Sequence, residues 1–271
     1  MSFVLRRMCD NLWSGRLDSF PEDRLVHGFS ARLGGVSPAP FDALNMALHV
    51  GDDPACVWEN RRRYFMALGL DAERICTIRQ VHGTEIVRVF RRDAGRGAHD
   101  YADARADADA VITNDSGVSL MLCYADCVPV LLYDPVHHAM GLVHAGWRGT
   151  VQRIAAQTIG RMGEEFGTEA SDVLAGIGPS IGAGCYTVGN DVAEQFCAAF
   201  PARAEEIVQK REGVAHLDLW AANRVQLMEI GVVGSNIDCA DVCTSCERNF
   251  FYSYRAAGGR TGRLAAVMEL R

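Results

Sequence analysis

The sequence predicts an α+β fold, a single domain of packed mixed β-sheets flanked by helices. Some apolar, strand-like runs follow one another as in hairpins, whereas others lead through a glycine turn into an amphipathic helix. No internal repeat or domain linker interrupts this order. The chain has 271 residues, of which 49% are hydrophobic and 23% charged, so it can bury a large core without disulfide bonds.

The domain is predicted to begin at a strand. We assign residues 1–24 to an N-terminal extension and residues 25–271 to a single domain. An apolar run from Leu25 to Ser30 predicts the first strand of that domain. Asp53, followed by proline, is typical of a helix N-cap, and Gly69 ends the helix that follows.

The next segment is predicted to form a hairpin and then an excursion. Residues 75–81 and 85–90 are rich in β-branched and aromatic side chains, which predicts two strands with His82 at their corner. Residues 91–109 are charged, aperiodic and rich in alanine and glycine. We therefore expect an exposed, mobile segment there.

The middle of the chain carries three strong strand signals. Two apolar runs, Val118 to Tyr124 and Val128 to Tyr133, are separated by Ala125-Asp126-Cys127, so a strand break is predicted between them. Met140 to Ala145 predicts a third strand, followed by a helix capped by Thr150. Further along, the patterns predict one strand, two helices and a tail of loop and strand, at 173–177, 191–200, 218–230 and 238–270.

Composition favours a small-molecule substrate. The chain has 27 basic and 34 acidic residues, giving a net charge of −7 without a basic run, which argues against nucleic acid as a partner. The longest apolar run has about six residues, far short of a membrane span, and the N-terminus lacks the apolar core of a secretory signal. We therefore expect a cytoplasmic protein without membrane partners, whose ten cysteines persist as thiols.

His82, Cys127 and His144 are candidate metal ligands. Each lies where a strand-like run meets a glycine or a break, so the three side chains could project into one pocket. Two imidazoles and one thiolate leave a fourth tetrahedral position open, as in catalytic zinc sites, where water can be activated. The spacing alone leaves open an ordinary structural role for each residue.

A second chemistry competes for the same residues. Cys127 and His144 could act as nucleophile and base, with Asp126 or another carboxylate orienting the imidazole. A thiolate ligand and a thiolate nucleophile look alike in one sequence, and metal content would distinguish them. A third candidate group is Cys239, Cys243 and Cys246, for which we expect ordinary thiols because a fourth ligand is missing.

A glycine-rich loop and several arginines could bind an anion. Five glycines lie between positions 176 and 189, and such a loop can direct backbone N–H groups at a phosphate. Neither a dinucleotide fingerprint nor a Walker motif is present. Arg32, Arg148 and Arg255 lie in turn-rich segments from which a guanidinium could hold phosphate.

Several motifs occur in a characteristic order along the chain. They are Leu44-Asn45, Gln80-Val81-His82-Gly83, Ala125-Asp126-Cys127-Val128-Pro129-Val130-Leu131, His144-Ala145-Gly146-Trp147-Arg148-Gly149, Gly178-Pro179-Ser180-Ile181-Gly182 with Cys185-Tyr186, and Phe251-Tyr252-Ser253-Tyr254-Arg255. Together these motifs resemble the YfiH family, whose members are called laccase-domain proteins or purine nucleoside phosphorylases. The resemblance runs from about Val26 to the C-terminus.

The resemblance implies a zinc-dependent enzyme with layered mixed sheets. It implies phosphorolysis of adenosine, inosine and methylthioadenosine to base and ribose 1-phosphate, together with adenosine deamination. It assigns the zinc ligands to His82, Cys127 and His144, choosing Cys127 over Cys123. The residues implied in catalysis are Cys127, His144 and Arg148, and those implied in substrate or phosphate binding are Arg32, Asn45, Arg148, Gly178, Ser180, Cys185 and Arg255.

Some features separate this chain from the family pattern and from its older laccase label. Thr187 stands where the family usually has glutamate, and Ala256-Ala257 where it usually has a charged pair, so no acid or base role is carried over to them. None of the eight histidines forms a His-x-His pair of multicopper oxidases, although copper could bind adventitiously. Two alternatives stay open, a cysteine hydrolase acting on a cell-wall precursor and a non-catalytic nucleoside-binding protein.

Overall fold

The computed structural model describes residues 3–9 and 11–271. Within these residues the helices and strands alternate irregularly along the chain. The strands are β1 (Phe3–Arg7), β2 (Trp13–Leu17), β3 (Leu25–Ser30), β4 (Ile75–Cys76), β5 (Arg79–Gln80), β6 (Ile86–Arg88), β7 (Asp107–Ala108), β8 (Ala110–Thr113), β9 (Ser119–Tyr124), β10 (Val128–Asp134), β11 (Ala139–Ala145), β12 (Leu174–Ile177), β13 (Thr187–Val188), β14 (Val208–Arg211), β15 (Val214–Leu217), β16 (Ile237–Cys239) and β17 (Leu264–Leu270).

Helices flank the strands on both sides. The α-helices are α1 (Pro54–Ala67), α2 (Trp147–Val151), α3 (Ile154–Phe166), α4 (Asn190–Ala199), α5 (Ala204–Ile207) and α6 (Leu219–Ile230). The predicted N-cap of α1 is confirmed, because the Asp53 carboxylate accepts the backbone N–H of Ala55. The helix predicted to begin at Asp218 is α6, and the Asp218 carboxylate caps it by accepting the N–H of Ala221. Among the described residues no helix has the length and apolar content needed to cross a bilayer.

Two six-stranded mixed sheets pack face to face. Their strand orders are β1-β2-β3-β17-β9-β4 and β16-β12-β10-β11-β8-β6, and each combines antiparallel and parallel pairs. Smaller sheets, β13-β15-β14 and β5-β7, lie beside them. The predicted class, α+β with packed mixed sheets and flanking helices, is confirmed.

The central strands are apolar on both faces because each is covered on both sides. In β10, Val130 and Leu132 join the core beneath α3, α4 and α6, whereas Leu131 and Tyr133 face the other sheet. In β9 the alternation continues, and Met121 packs with the α1 side of the molecule. The layers are therefore α1, the first sheet, the second sheet, and the α3/α4/α6 group.

The N-terminal residues contribute to the first sheet. β1 pairs with β2 over five positions from Phe3 to Arg7, and β2 pairs with β3 through Ser14 and Gly15. Leu17 and Phe20 belong to the core between the sheets. The division at residue 24 stays a prediction, and the structure adds that the preceding segment continues the same sheet.

The predicted hairpin around His82 is wrong. The first predicted strand is divided into β4 and β5, and the second is shortened to β6. The three do not pair with one another, because β4 pairs in parallel with β9, β5 with β7, and β6 with β8. Long-range pairing has overridden a local pattern that favoured antiparallel neighbours. His82 nevertheless follows a strand, as the pattern indicated.

The prediction that residues 91–109 are exposed is wrong for the inner part of that segment. The buried guanidinium of Arg61 donates to the carbonyl oxygens of Gly97 and Ala98, each at 2.7 Å. Ala104 and Asp109 are also buried. The small alanine and glycine residues permit this close approach of the backbone to Arg61. The burial could not be predicted because the segment is charged and has no periodic pattern. The mobility of the segment stays a prediction.

The helix predicted to be capped by Thr150 is instead two helices. α2 begins at Trp147, and the chain turns at Arg153, which has a positive φ of 65° and precedes α3. The earlier start places Gly146 at the N-cap and brings its backbone next to the candidate site.

Candidate functional site

The three predicted metal ligands meet at one end of the two packed sheets. His82 follows β5, Cys127 lies in the link between β9 and β10, and His144 is the penultimate residue of β11. Their ligand atoms all lie within 4.8 Å of one another. The two imidazole rings are nearly perpendicular, with an interplanar angle of 82° and centroids 4.7 Å apart. The arrangement brings two nitrogens and one sulfur toward a common point.

Backbone turns direct these side chains. His82 and Asp126 have positive φ angles of 60° and 80°, at the points where the chain leaves β5 and crosses from β9 to β10. Gly146 faces the cluster, and a Cβ there would lie 3.2 Å from Cys127 Sγ and 3.2 Å from His82 Cδ2. Only glycine therefore lets this backbone approach without displacing the two ligands.

Asp109 orients the cluster. Its Oδ1 lies 2.7 Å from His144 Nδ1 and accepts the backbone N–H of His82 at 2.9 Å, while Oδ2 accepts the N–H of Gly83 at 2.5 Å. The bond at Nδ1 leaves Nε2 of His144 available for a ligand, as a carboxylate commonly does for metal-binding histidines. One buried carboxylate thus fixes two of the three candidate ligands.

Sequence reasoning offered Asp126 or another carboxylate for this role, and in the structure Asp109 rather than Asp126 contacts the imidazole. The Asp126 carboxylate instead accepts the hydroxyl of Thr244 and the backbone N–H of Arg255, each at 2.7 Å. Asp109 was missed because it ends a polar segment interpreted as exposed. The available signal was a carboxylate placed directly before the apolar strand β8.

Electrostatics couple Cys127 to His144. Burial raises the pKa of the Cys127 thiol, but the neighbouring His144 and His82 outweigh burial and hold that pKa below its usual range. Burial lowers the pKa of His144, but the Cys127 thiolate and Asp109 outweigh it and raise that pKa above its usual range. A thiolate facing an imidazolium is therefore favoured, and a metal ion would replace the imidazolium proton.

The donor set fits a borderline-soft divalent ion such as Zn²⁺. Imidazole nitrogen and thiolate sulfur are its usual protein ligands, and three of them leave one position for another ligand. His144 is only 3% exposed whereas His82 is exposed, so the cluster is held from within and open on one side. These residues could hold a catalytic type of metal site.

The cluster lies where two cavities meet. One, of about 400 Å³, is lined by His49, Gln80 and Arg263 together with the three candidate ligands. The other, of about 270 Å³, shares His82 and Cys127 with the first. We call them the first and second arms of one cleft. A cleft of this kind can hold a ligand with two chemically different ends on either side of the cluster.

Polar side chains line the first arm. Both polar atoms of the Gln80 amide bond the backbone of Cys123, each at 2.8 Å. Burial and the nearby Arg263 lower the pKa of His49 to about 4, so its imidazole is neutral at pH 7. The arm therefore offers a neutral imidazole and a guanidinium, and sequence reasoning missed Arg263 because no motif contains it.

The second arm combines aromatic rings with arginines. The Arg148 guanidinium lies over the Trp147 ring, 4.4 Å from its centroid, and that of Arg255 lies over Tyr186 at 5.0 Å. Arg255 also donates to the carbonyl and hydroxyl oxygens of Thr187, at 3.0 and 3.1 Å. Arg148 and Arg255, both predicted to bind substrate, thus line the cleft.

Arg32 and Asn45 line neither arm. The Arg32 guanidinium donates to the Asp42 carbonyl oxygen at 2.8 and 3.0 Å and borders a separate cavity. Asn45 is fully buried, and its Oδ1 accepts the backbone N–H of Arg263 at 2.9 Å. Their places do not support direct substrate binding. Asn45 instead positions a residue of the first arm.

Gly178 and Ser180 also have structural places. A Cβ at Gly178 would lie 2.2 Å from Cε1 of Phe29, so this glycine permits close packing of the two sheets. The Ser180 hydroxyl is buried, donates to the Gly178 carbonyl and accepts the indole N–H of Trp220 at 2.6 Å. Neither residue faces the cleft, because the glycine-rich loop turns these groups inward.

Cys185 lies with two other cysteines. Its sulfur and those of Cys243 and Cys246 are within 4.8 Å of one another. The group predicted from the sequence contained Cys239 instead. Cys239 belongs to β16, whereas Cys185 approaches from a segment that local spacing could not connect with the other two.

Comparisons with known proteins decide the family. Residues 26–271 match the family described as multi-copper polyphenol oxidoreductase laccase. The chain belongs to this family. A purine nucleoside phosphorylase YlmD from Geobacillus stearothermophilus is 42% identical over 249 residues, covering 91% of this chain and 90% of that protein.

Other members of the laccase-domain family agree in fold. The crystal structure of a Bacillus licheniformis protein named YfiH superposes with a TM-score of 0.92 at 33% identity, covering 98% of this chain and 99% of that one. A protein named adenosine deaminase RL5, from an unknown prokaryotic organism, is 34% identical over 88% of this chain and 91% of its own length. The predicted resemblance to the YfiH family is confirmed.

Proposed function

We propose that this protein is a zinc-dependent purine nucleoside phosphorylase that also deaminates adenosine. The observation that carries the proposal is the His82–Cys127–His144 cluster, oriented by Asp109, at the junction of two cleft arms that contain arginines and aromatic rings. Relatives named purine nucleoside phosphorylase and adenosine deaminase support it. The substrates are adenosine, inosine and methylthioadenosine, with phosphate as the co-substrate.

The second arm suits the substrate pair. The rings of Trp147, Tyr186 and Tyr254 offer apolar surfaces for a purine or ribose, and Arg148 and Arg255 offer charge for phosphate. Phosphorolysis forms a bond from a phosphate oxygen to C1′ of the ribose while the bond from C1′ to the purine nitrogen breaks. Guanidinium groups that hold phosphate beside C1′ favour this step by positioning and by charge.

The cluster supplies the polar end of the cleft. When bound, zinc supplies Lewis-acid chemistry, which can polarise the purine or activate water for replacement of the amino group. Asp109 holds the His144 ring and the His82 backbone, so the ligands keep one geometry during turnover. In these terms Cys127 and His144 are ligands, and Arg148 is the candidate phosphate-binding residue.

A specific observation also favours a cysteine hydrolase. Cys127, His144 and Asp109 together resemble a nucleophile, base and orienting carboxylate, and the thiolate form of Cys127 is favoured. The position of His82 favours the metal site instead, because a cysteine hydrolase does not require a second imidazole beside the sulfur. Turnover that resists a chelator but is abolished by thiol alkylation would favour the hydrolase.

The proposal is tested by product analysis. Purified protein of measured metal content is incubated with adenosine, with and without phosphate, and the products are identified by chromatography. We expect adenine and ribose 1-phosphate only with phosphate, and inosine in both samples. Adenine released without phosphate would contradict phosphorolysis, whereas tight adenosine binding without any product would point to a binding protein.

A further inference from the structure

The three cysteines Cys185, Cys243 and Cys246 form a second thiol cluster, separate from the ligands of the cleft. All three sulfurs lie within 4.8 Å of one another, and those of Cys185 and Cys246 are 3.4 Å apart. Tetrahedral zinc with bonds of about 2.3 Å to sulfur places its sulfur ligands roughly 3.8 Å apart. The Cys185–Cys246 distance is close to that value and no pair of the three sulfurs is more than 4.8 Å apart, so the thiols are near enough to share one ion.

A hydrogen-bonded turn brings Cys243 and Cys246 close together. The carbonyl oxygen of Cys243 accepts the backbone N–H groups of Cys246 and Glu247, at 3.2 and 2.9 Å. The Cys243 sulfur accepts the N–H of Gly182 at 3.2 Å. Hydrogen bonds of this kind favour the thiolate, which is the form that binds metal.

The third cysteine is brought in by contacts between two distant segments. Ser180 and Cys243 form an isolated parallel bridge, and the Thr244 N–H donates to the Ser180 carbonyl oxygen at 3.0 Å. The segment then reaches Cys185 through a turn in which the Cys185 N–H donates to the Gly182 carbonyl at 2.9 Å. The backbone therefore brings all three thiols together without a disulfide bond between them.

We propose that Cys185, Cys243 and Cys246 form a trithiolate site for a thiophilic metal ion such as Zn²⁺. Within residues 3–9 and 11–271, no fourth His, Cys, Asp or Glu joins this group, so water or an external ligand completes the coordination. A disulfide bond would use only two of the three sulfurs. A bound ion uses all three and displaces their protons to solvent.

A metal ion at this site would stabilise the wall of the second arm of the cleft. Cys185 precedes Tyr186, which lines that arm, and Cys243 precedes Thr244, whose hydroxyl holds the Asp126 carboxylate at 2.7 Å. An ion shared by both segments would join these two walls. Its role is structural, and it would bind whether or not the cleft turns over nucleosides.

Cobalt binding tests the site directly. Metal-free full-length protein, kept reduced, is titrated with Co²⁺, and bound ions and thiolate-to-cobalt absorption are measured. The wild type is expected to bind two ions, Cys127→Ala one ion with strong absorption, and Cys246→Ser one ion with weak absorption. The trithiolate site should absorb about three times as strongly as the cleft site, since three thiolates replace one.

Matched variants keep the test decisive. Cys197 is an exposed cysteine of α4, so Cys197→Ser should leave both ions in place. Cys185→Ser should lose the same ion as Cys246→Ser. A wild type that binds only one ion with weak absorption would overturn the proposal. A second ion retained by both Cys185→Ser and Cys246→Ser would also overturn it. The same holds for a Cys185–Cys246 disulfide that forms under these conditions and excludes cobalt.

Discussion

At the scale of single residues, Asp109 explains how a short, exposed turn can present a candidate metal ligand, His82. The carboxylate is completely buried, bonds the imidazole of His144, and accepts the N–H groups of His82 and Gly83. A buried carboxylate with several donors stays ionised, and burial, which raises its pKa, is outweighed by His144 and these N–H groups. It therefore positions the cluster without contacting the substrate.

Asp109→Asn is expected to weaken metal binding by about 10–100-fold, because the charge that fixes the His144 ring is lost. Zinc affinity is measured by competition with a chromophoric chelator, and activity should recover when zinc is raised. Asp107→Asn is the matched control, since this carboxylate lies two residues away and is 64% exposed. Equal affinities in the wild type and Asp109→Asn would contradict the positioning role.

Gly146→Ala tests the close approach of the backbone to the cluster. The new methyl group would lie 3.2 Å from Cys127 Sγ and from His82 Cδ2, so both ligands must shift by a few tenths of an ångström. We expect a clear loss of metal affinity in the same competition assay. Gly160→Ala in α3 meets open space and should retain wild-type affinity. A Gly146→Ala variant that also retained it would contradict the steric argument.

At the scale of secondary-structure elements, β2 and β3 are joined by a buried histidine. His27 Nε2 accepts the backbone N–H of Leu17 at 3.0 Å, so the ring must be neutral at that nitrogen. Burial and then Arg16 lower the pKa of His27 from 6.5 to about 4, against a smaller opposing effect of Asp18. Protonation of His27 would therefore break the link between these strands.

The pH dependence of unfolding tests that link. Between pH 6.5 and about 4 the unfolded chain binds a proton that folded His27 does not, so stability falls as pH falls through this window. The loss amounts to about 3 kcal/mol. His27→Gln should flatten the stability curve over that window in denaturant titrations, whereas the exposed His99→Gln should not. Parallel curves for wild type and His27→Gln would contradict the linkage.

At the scale of the whole molecule, local pattern predicted the long elements but not their partners. β9, β10 and β11 match apolar runs because strands covered on both faces need continuous hydrophobicity. The short strands near His82 pair with distant segments, which no local periodicity encodes. The same limit hid Asp109 and the approach of Cys185 to Cys243.

The prediction of the site shows a similar division. The order of motifs named the three ligands and two arginines that line the cleft. Asn45, Gly178 and Ser180 belong to the same motifs but face inward, and Arg32 borders a separate cavity. Residues that shape a site occur in the sequence beside residues that contact its ligand. Only the three-dimensional contacts separate these two kinds of residue.

Metal binding is expected to stabilise the fold as a whole, because the three candidate ligands of the cleft come from different parts of it. His82 follows β5 of a small sheet, Cys127 lies in the link between the two large sheets, and His144 belongs to the second large sheet. In Cys246→Ser, which keeps only the cleft site, zinc at about 100 times its dissociation constant should add about 3 kcal/mol to the free energy of unfolding. Thermal midpoints are compared with zinc and with chelator, and Cys246→Ser combined with His144→Ala should show no shift. An unchanged midpoint in Cys246→Ser would contradict the site.

Phosphate-dependent adenine release by Cys127→Ala and Cys123→Ala tests the central claim most directly. Both cysteines line the first arm, but only Cys127 belongs to the candidate metal site. We predict that Cys127→Ala loses the zinc of the cleft and at least about 100-fold in rate, whereas Cys123→Ala keeps that zinc and most of its activity. Wild-type rates in Cys127→Ala would contradict the assignment of catalysis to the His–Cys–His cluster.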